Sequence, residues 1–243
     1  MRVGHLLSLL AAIALLAACA PQEVVHPEVS TPSPTATLPP EPPPTPTPAP
    51  SLETAAPNMF EDPVGSLRFL FEVKNVNQYP VERIRATIHL RDGGGRPIAT
   101  QSAYAKMDLL NPGKSVPVLV VFFLASPEFA YYDIELEAHR ADYLLQLAHS
   151  SLEIVDLSGR AGQWVPYEVL GRVLNSGEQD AESVAVVSSC FDSAGRIAAI
   201  VSGKPEQRLI PAGESSEFLL SVGSLAGSIV ECRAYAEGLI ADD

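Results

Sequence analysis

The strongest constraint on this chain is that it repeats itself at a fixed distance. Val73-Lys74-Asn75 recurs as Val173-Leu174-Asn175, Glu82 as Glu182, Asp92 with Gly95-Arg96 as Asp192 with Gly195-Arg196, and Gly113 as Gly213, each pair 100 residues apart. Self-similarity held in register without a gap marks two copies of one structural unit. Within each copy apolar and polar residues alternate, the two-residue period of half-buried strands.

Each copy reads as a run of strands. The first covers residues 67–75 or 167–175, and the second ends at Asp92 or Asp192. Gly93-Gly94-Gly95 and Ser193-Ala194-Gly195 make tight connections, because glycine tolerates the positive φ such turns need. A third strand leads to the turns Asn111-Pro112-Gly113 and Pro211-Ala212-Gly213. Fourth and fifth strands are expected near 116–124 and 134–140, and near 216–222 and 229–235. Short strands at regular spacing, punctuated by Gly and Pro, imply an all-β sandwich in each copy. Residues 127–154 have helix-friendly composition, and Tyr143-Leu144-Leu145-Gln146-Leu147 could form a helical turn. Residues 151–155 are read as the opening strand of the second domain, with the boundary near His149.

Together these parts resemble the FxLYD domain of bacterial cell-surface lipoproteins. The shared pattern is a strand ending in Asn, a strand ending in apolar-x-Leu-aromatic-Asp, a Gly, then Pro-Gly or Pro-x-Gly before an aromatic-bearing strand. The name-giving segment is Ile88-His89-Leu90-Arg91-Asp92 in copy one and Ser188-Ser189-Cys190-Phe191-Asp192 in copy two. Copy one has Arg91 in the aromatic place, and copy two has Ser188 and Cys190 in apolar places. The resemblance covers nearly all of the chain beyond the linker. It implies two tandem immunoglobulin-like sandwiches and brings no catalytic residues with it.

The N-terminus sets the location. Arg2 is followed by a 13-residue apolar run from Leu6 to Ala18, and Leu16-Ala17-Ala18-Cys19 closes it. That is the anatomy of an export signal, too short to span a bilayer. The tetrapeptide resembles the lipobox of bacterial lipoproteins, which implies cleavage before Cys19 and lipid attachment there. Several acyl chains would anchor the chain stably where one would not. The alternatives are an ordinary secretory signal that happens to end in Cys and an uncleaved anchor. Thirteen of residues 21–57 are Pro, and such a segment is an extended stalk. The expected organisation is a signal peptide over 1–18, a lipid-anchored stalk over 19–57, and sandwiches over 58–148 and 149–243.

Removing the signal leaves 15 basic and 29 acidic residues, a net charge of −14. Nucleic acid and anionic lipid surfaces should repel such a chain. Searches for a nucleophile elbow, a His-Glu-x-x-His helix, Cys-x-x-Cys or a phosphate loop come back empty. No enzyme activity, metal or cofactor is therefore implied. The expected partners are the membrane, through the N-terminal lipid, and an envelope protein or glycan. Asp133, Glu135, Glu137 and His139 share one strand face, but alternate residues lie about 6.8 Å apart, too far for several to ligate one ion unaided. A solvated outer face accounts for them.

Three further features stand out. Leu119, Val121 and Phe123 fall at outward positions of their strand and form a possible contact surface, unless the linking segment or the second domain covers them. Trp164 is expected to fill the hole left where inward-facing Phe71 becomes Gly171; the alternative is an exposed binding residue. Cys190 and Cys232 match Leu90 and Leu136, both at inward positions, so a disulfide between them is expected. The alternative is two free buried thiols.

Overall fold

A computed structural model describes residues 49–123 and 128–241. Cys19 and most of the stalk lie outside the described residues. The first sandwich contains β1 (Leu52–Thr54), β2 (Asn58–Glu61), β3 (Leu67–Asn75), β4 (Val81–Arg91), β5 (Pro97–Tyr104), β6 (Leu109–Leu110), β7 (Ser115–Phe122) and β8 (Tyr131–Arg140). A single helical turn, α1 (Tyr143–Leu147), leads to the second. That contains β9 (Leu152–Ala161), β10 (Tyr167–Asn175), β11 (Ala181–Phe191), β12 (Ile197–Gly203), β13 (Leu209–Ile210), β14 (Ser215–Val222) and β15 (Glu231–Ile240).

All pairing is antiparallel. In the first sandwich β3 lies between β7 and the collinear β1 and β2, while β4 lies between β8 and the collinear β5 and β6. The second repeats this with β10 between β9 and β14, and β11 between β15 and the β12–β13 edge. Equivalent pairs keep the 100-residue offset throughout: Leu52 faces Asn75 as Leu152 faces Asn175, and Val81 faces Arg140 as Ala181 faces Ile240. The duplication therefore reaches further than the sequence matches suggested. It also moves one expected boundary, because strand pairing begins at Leu52 and not at residue 58.

The alternation dictates the cores. On β4, Ile84, Ala86, Ile88 and Leu90 are buried against Phe69, Phe71, Val73 and Val118, while Arg85, Thr87, His89 and Arg91 face out. Val81 is also buried although its parity is odd. A bulge explains this: Arg83 has φ 53° and the pairing register shifts between Glu82 and Arg85. One extra residue re-phases the strand. Ser183 repeats the bulge at φ 52°.

Several of the residues that recur in sequence lock the loops. Asn75 and Asn175 are fully buried. Each side-chain amide donates to two carbonyls, of Tyr79 and Leu110 or of Gln179 and Ile210, and its oxygen accepts the N–H two residues on. Asp92 accepts the N–H groups of Gly94 and Arg96 and pairs with the Arg96 guanidinium; Asp192 does the same with Ala194 and Arg196. These bonds hold both carboxyls below the usual carboxylate range. Gly95 and Gly195, at φ 86° and 74°, supply the left-handed residue of that turn.

Phe71 faces Val118 across β3 and β7, whereas Gly171 faces Phe218 across β10 and β14. Large and small have changed sides, so the hole expected at Gly171 is filled from the neighbouring strand. A Cβ on Gly171 would stand 2.7 Å from the Phe218 ring. Gly171→Ala should thus cost about 1–3 kcal/mol of stability, as overpacking does. In a Phe218→Val background the same change should cost less than half as much. Denaturant unfolding of the four variants in the cycle measures the coupling.

Candidate functional site

The surface that sets the two copies apart is the outer face of the β4 and β11 sheets. In the first sandwich it carries ion pairs between adjacent strands, Arg85 with Glu137 and Arg91 with Asp133, and between them the His89 ring lies 3.5 Å from Glu135. The Asp133, Glu135 and Glu137 carboxylates are thus spent on β4, as a solvated outer face requires. Among the described residues no cluster of three or more His, Cys, Asp or Glu could hold a metal ion.

In the second sandwich the corresponding β11 residues are Ala185, Val187, Ser189 and Phe191. Val187, Ser189 and Phe191 are buried. Phe191 meets the outer face of the β3 sheet of the first sandwich, where Leu70, Phe191 and Ile197 form a third apolar cluster with Phe60, Leu119, Ile200 and Ala226. The Asn58 amide donates to the Ile197 carbonyl at 2.9 Å across the junction. Beside the cluster, burial pushes the Glu72 carboxyl up, and the Arg233 guanidinium partly offsets that. Arg233 also stacks over the Phe191 ring at 4.6 Å.

The expected contact stripe is divided by this junction. Leu119 packs into the apolar cluster and is therefore covered by the second sandwich. Val121 is half-buried opposite Arg68, and Phe123 is 72% exposed. Leu170 and Leu219, which correspond to Leu70 and Leu119, also face each other on an outer sheet surface. Leu219 remains 52% exposed.

A second contact between the sandwiches is polar. Glu237 on β15 accepts the N–H of Asp108 with both oxygens at 2.9 Å and that of Leu109 at 3.3 Å. Its counterpart Glu137 is held by Arg85, but the residue facing Glu237 is Ala185. Burial without a cation pushes the Glu237 carboxyl up to about 7, against the two backbone donors that pull it down. A cavity of about 430 Å³ opens beside it, lined by Leu109, α1, Ala185 and Leu239.

Cys190 and Cys232 form a disulfide. They face each other directly on β11 and β15, with Cα atoms 4.0 Å apart. The equivalent pair in the first sandwich is Leu90 and Tyr132, so Cys232 corresponds to Tyr132 and not to Leu136. The expected match was four residues off, and an even error leaves the inward face unchanged. Trp164 is a correction of another kind. It is 88% exposed in the β9–β10 turn and fills no hole, since Phe218 occupies the space above Gly171.

Comparison with protein-family models and with curated proteins found no match to this chain.

Two outcomes follow from the junction. Leu119→Lys would put a charge into the apolar cluster and should destabilise the chain by about 1–3 kcal/mol, whereas Phe123→Ser should stay within about 0.5 kcal/mol. Urea unfolding compares them. The second concerns pH. Above 4.5 the unfolded chain has released the Glu237 proton, while the folded chain keeps it until about 7. The folded state then binds more protons, so this group's contribution falls as pH rises through that window and is constant above it. Stability measured from about pH 4 to about pH 8 should decline less in Glu237→Gln than in the parent chain.

Proposed function

We propose that this chain is a lipid-anchored cell-envelope protein that displays two β-sandwich modules on a Pro-rich stalk and acts by binding or assembly, without chemistry of its own. The observation that carries this reading is the 13-residue apolar run ending in Leu16-Ala17-Ala18-Cys19, followed directly by the Pro-rich segment. The Cys190–Cys232 disulfide is compatible with an oxidising compartment outside the cytoplasm. The recurring Asn, Asp and Gly residues that carry the FxLYD resemblance all serve as loop locks, which suits a display scaffold.

A second reading is an accessory subunit of an envelope enzyme or transporter whose chemistry lies in another chain. The outward pair Leu170 and Leu219 favours it, because the matching pair in the first sandwich is covered by a neighbouring sheet. Crosslinking in native envelopes separates the two. Recurrent capture of one enzyme or transporter supports the accessory subunit, and capture of glycan or matrix supports the display module.

Lipid attachment is tested directly. Mass spectrometry of the mature chain should find an N-terminal Cys19 carrying acyl groups, and Cys19→Ser should move the protein from the membrane to the soluble fraction. An unmodified terminus, or one that starts elsewhere, would remove the anchor from the reading.

A further inference from the structure

The cavity between the sandwiches lies where the arginine of the first sandwich has no counterpart in the second. In the first sandwich the Arg85 guanidinium meets Glu137 across β4 and β8, with Nε 2.7 Å from the carboxylate. The second sandwich keeps the acid as Glu237 and replaces the base with Ala185, and both residues line the cavity of about 430 Å³. The remaining walls are largely aliphatic, formed by Leu109, Leu144, Leu145 and Leu239. A volume of this size, apolar walls and one convergent charge are the features of a small-molecule site.

We propose that this cavity binds a small organic cation, a guanidinium or primary ammonium on a short apolar stem, with Glu237 as its anionic partner. The head takes the place that Arg85 holds beside Glu137, and the stem lies on the leucines. Two N–H groups engage Glu237, and a carboxylate offers about four acceptor positions, so room is left for a third donor. The other titratable groups lining the cavity are Asp108 and His149. Asp108 adds negative charge. The His149 ring is committed to backbone, with Nδ1 accepting the Ser151 N–H at 3.3 Å and Nε2 donating to the Gln179 carbonyl at 2.9 Å. No side chain bordering the cavity therefore supplies Glu237 with a cation. Because burial keeps its carboxyl protonated up to about pH 7, a cationic ligand should bind more tightly as pH rises through that value. None of this depends on the lipid anchor.

The experiment titrates n-butylguanidinium into the mature chain at about pH 8 and follows saturation by NMR or calorimetry. Saturable binding with a dissociation constant on the order of 1 mM or tighter is expected, and neutral n-butylurea should bind at least ~10-fold more weakly. Ala185→Arg, which installs the side chain of the first sandwich, should abolish saturation. Glu237→Gln should weaken binding at least ~10-fold and remove its pH dependence. Should Ala185→Arg fail to fold, Glu237→Gln with unchanged circular dichroism decides alone. Nα-acetyl-arginine methylamide separates two sources of the same head group: tighter binding than butylguanidinium assigns an arginine presented by a polypeptide, and weaker binding assigns a free small cation. Equal affinity for butylurea, or equal affinity in a folded Glu237→Gln variant, would overturn the proposal.

Discussion

Burial of one outer sheet face against another is the interaction on which the arrangement of this chain depends. A strand in a sandwich has an inward and an outward row of side chains, and only the inward row is needed for its own core. Here outward positions of β3 and β7 meet residues of β11 and β12, through Leu70, Leu119, Phe191 and Ile197. Each large side chain so covered contributes about 1.5–3 kcal/mol relative to exposure. The contact is heterologous, since a β3-type face meets a β11-type face. Contacts of that kind can propagate without closing. The β4 face of the first sandwich instead carries Arg85 and Arg91 paired with Glu137 and Asp133, with His89 beside Glu135. Exposed pairs of this sort contribute little stability, with a median of about 0–1 kcal/mol. Their effect is to keep that face wet.

The second sandwich has traded apolar volume for other devices. Its central strand carries Ser188 where the first has Ile88, and the Ser188 hydroxyl is satisfied by the Arg233 carbonyl at 3.1 Å. The disulfide joins the central strand β11 to its neighbour β15, across a sequence separation of 42. In the chain-entropy picture closing such a loop contributes about 4 kcal/mol, as an upper guide. The exchange of Phe71 and Val118 for Gly171 and Phe218 keeps a phenyl ring in the core while moving its attachment point. The ring is kept but the valine side chain is not replaced, so this pair too carries less apolar volume in the second sandwich.

The all-β class and the inward rows of β4, β7, β11 and β14 were legible because period two is a direct record of which side is buried. The cysteine pair was legible for the same reason, and it survived a four-residue misalignment because four is even. The role of Trp164 was misjudged by following one strand at a time: the vacancy at Gly171 was visible, but its occupant sat at position 218 on a different strand. The early start at Leu52 was masked by the prolines around it, since Pro57 and Pro63 flank β2 and suggest linker. The bulges at Arg83 and Ser183 have no local signal in sequence, because neither residue is one that favours positive φ.

The junction had a signal that a search for shared residues passes over. Matching the copies selects Asn75, Asp92, Gly95 and Gly113, and all of them prove to hold loops. Roles that belong to one copy also draw on residues that recur: Leu70 and Leu119 sit in the junction while Leu170 and Leu219 face out, and Glu237 recurs as Glu137. On the outward row of the central strand the change is from polar or charged to mostly apolar or small: Arg85 to Ala185, Thr87 to Val187, His89 to Ser189 and Arg91 to Phe191. That row separates a surface left to water from one committed to a neighbouring sheet. At its end Glu237 has kept the charge of Glu137 and lost the base, so its carboxylate leans on the backbone of the other sandwich. A buried acid without its cation is costly for a scaffold to retain. Its position beside an aliphatic cavity leaves it held only by backbone donors of the other sandwich, where Glu137 is held by an arginine of its own sheet.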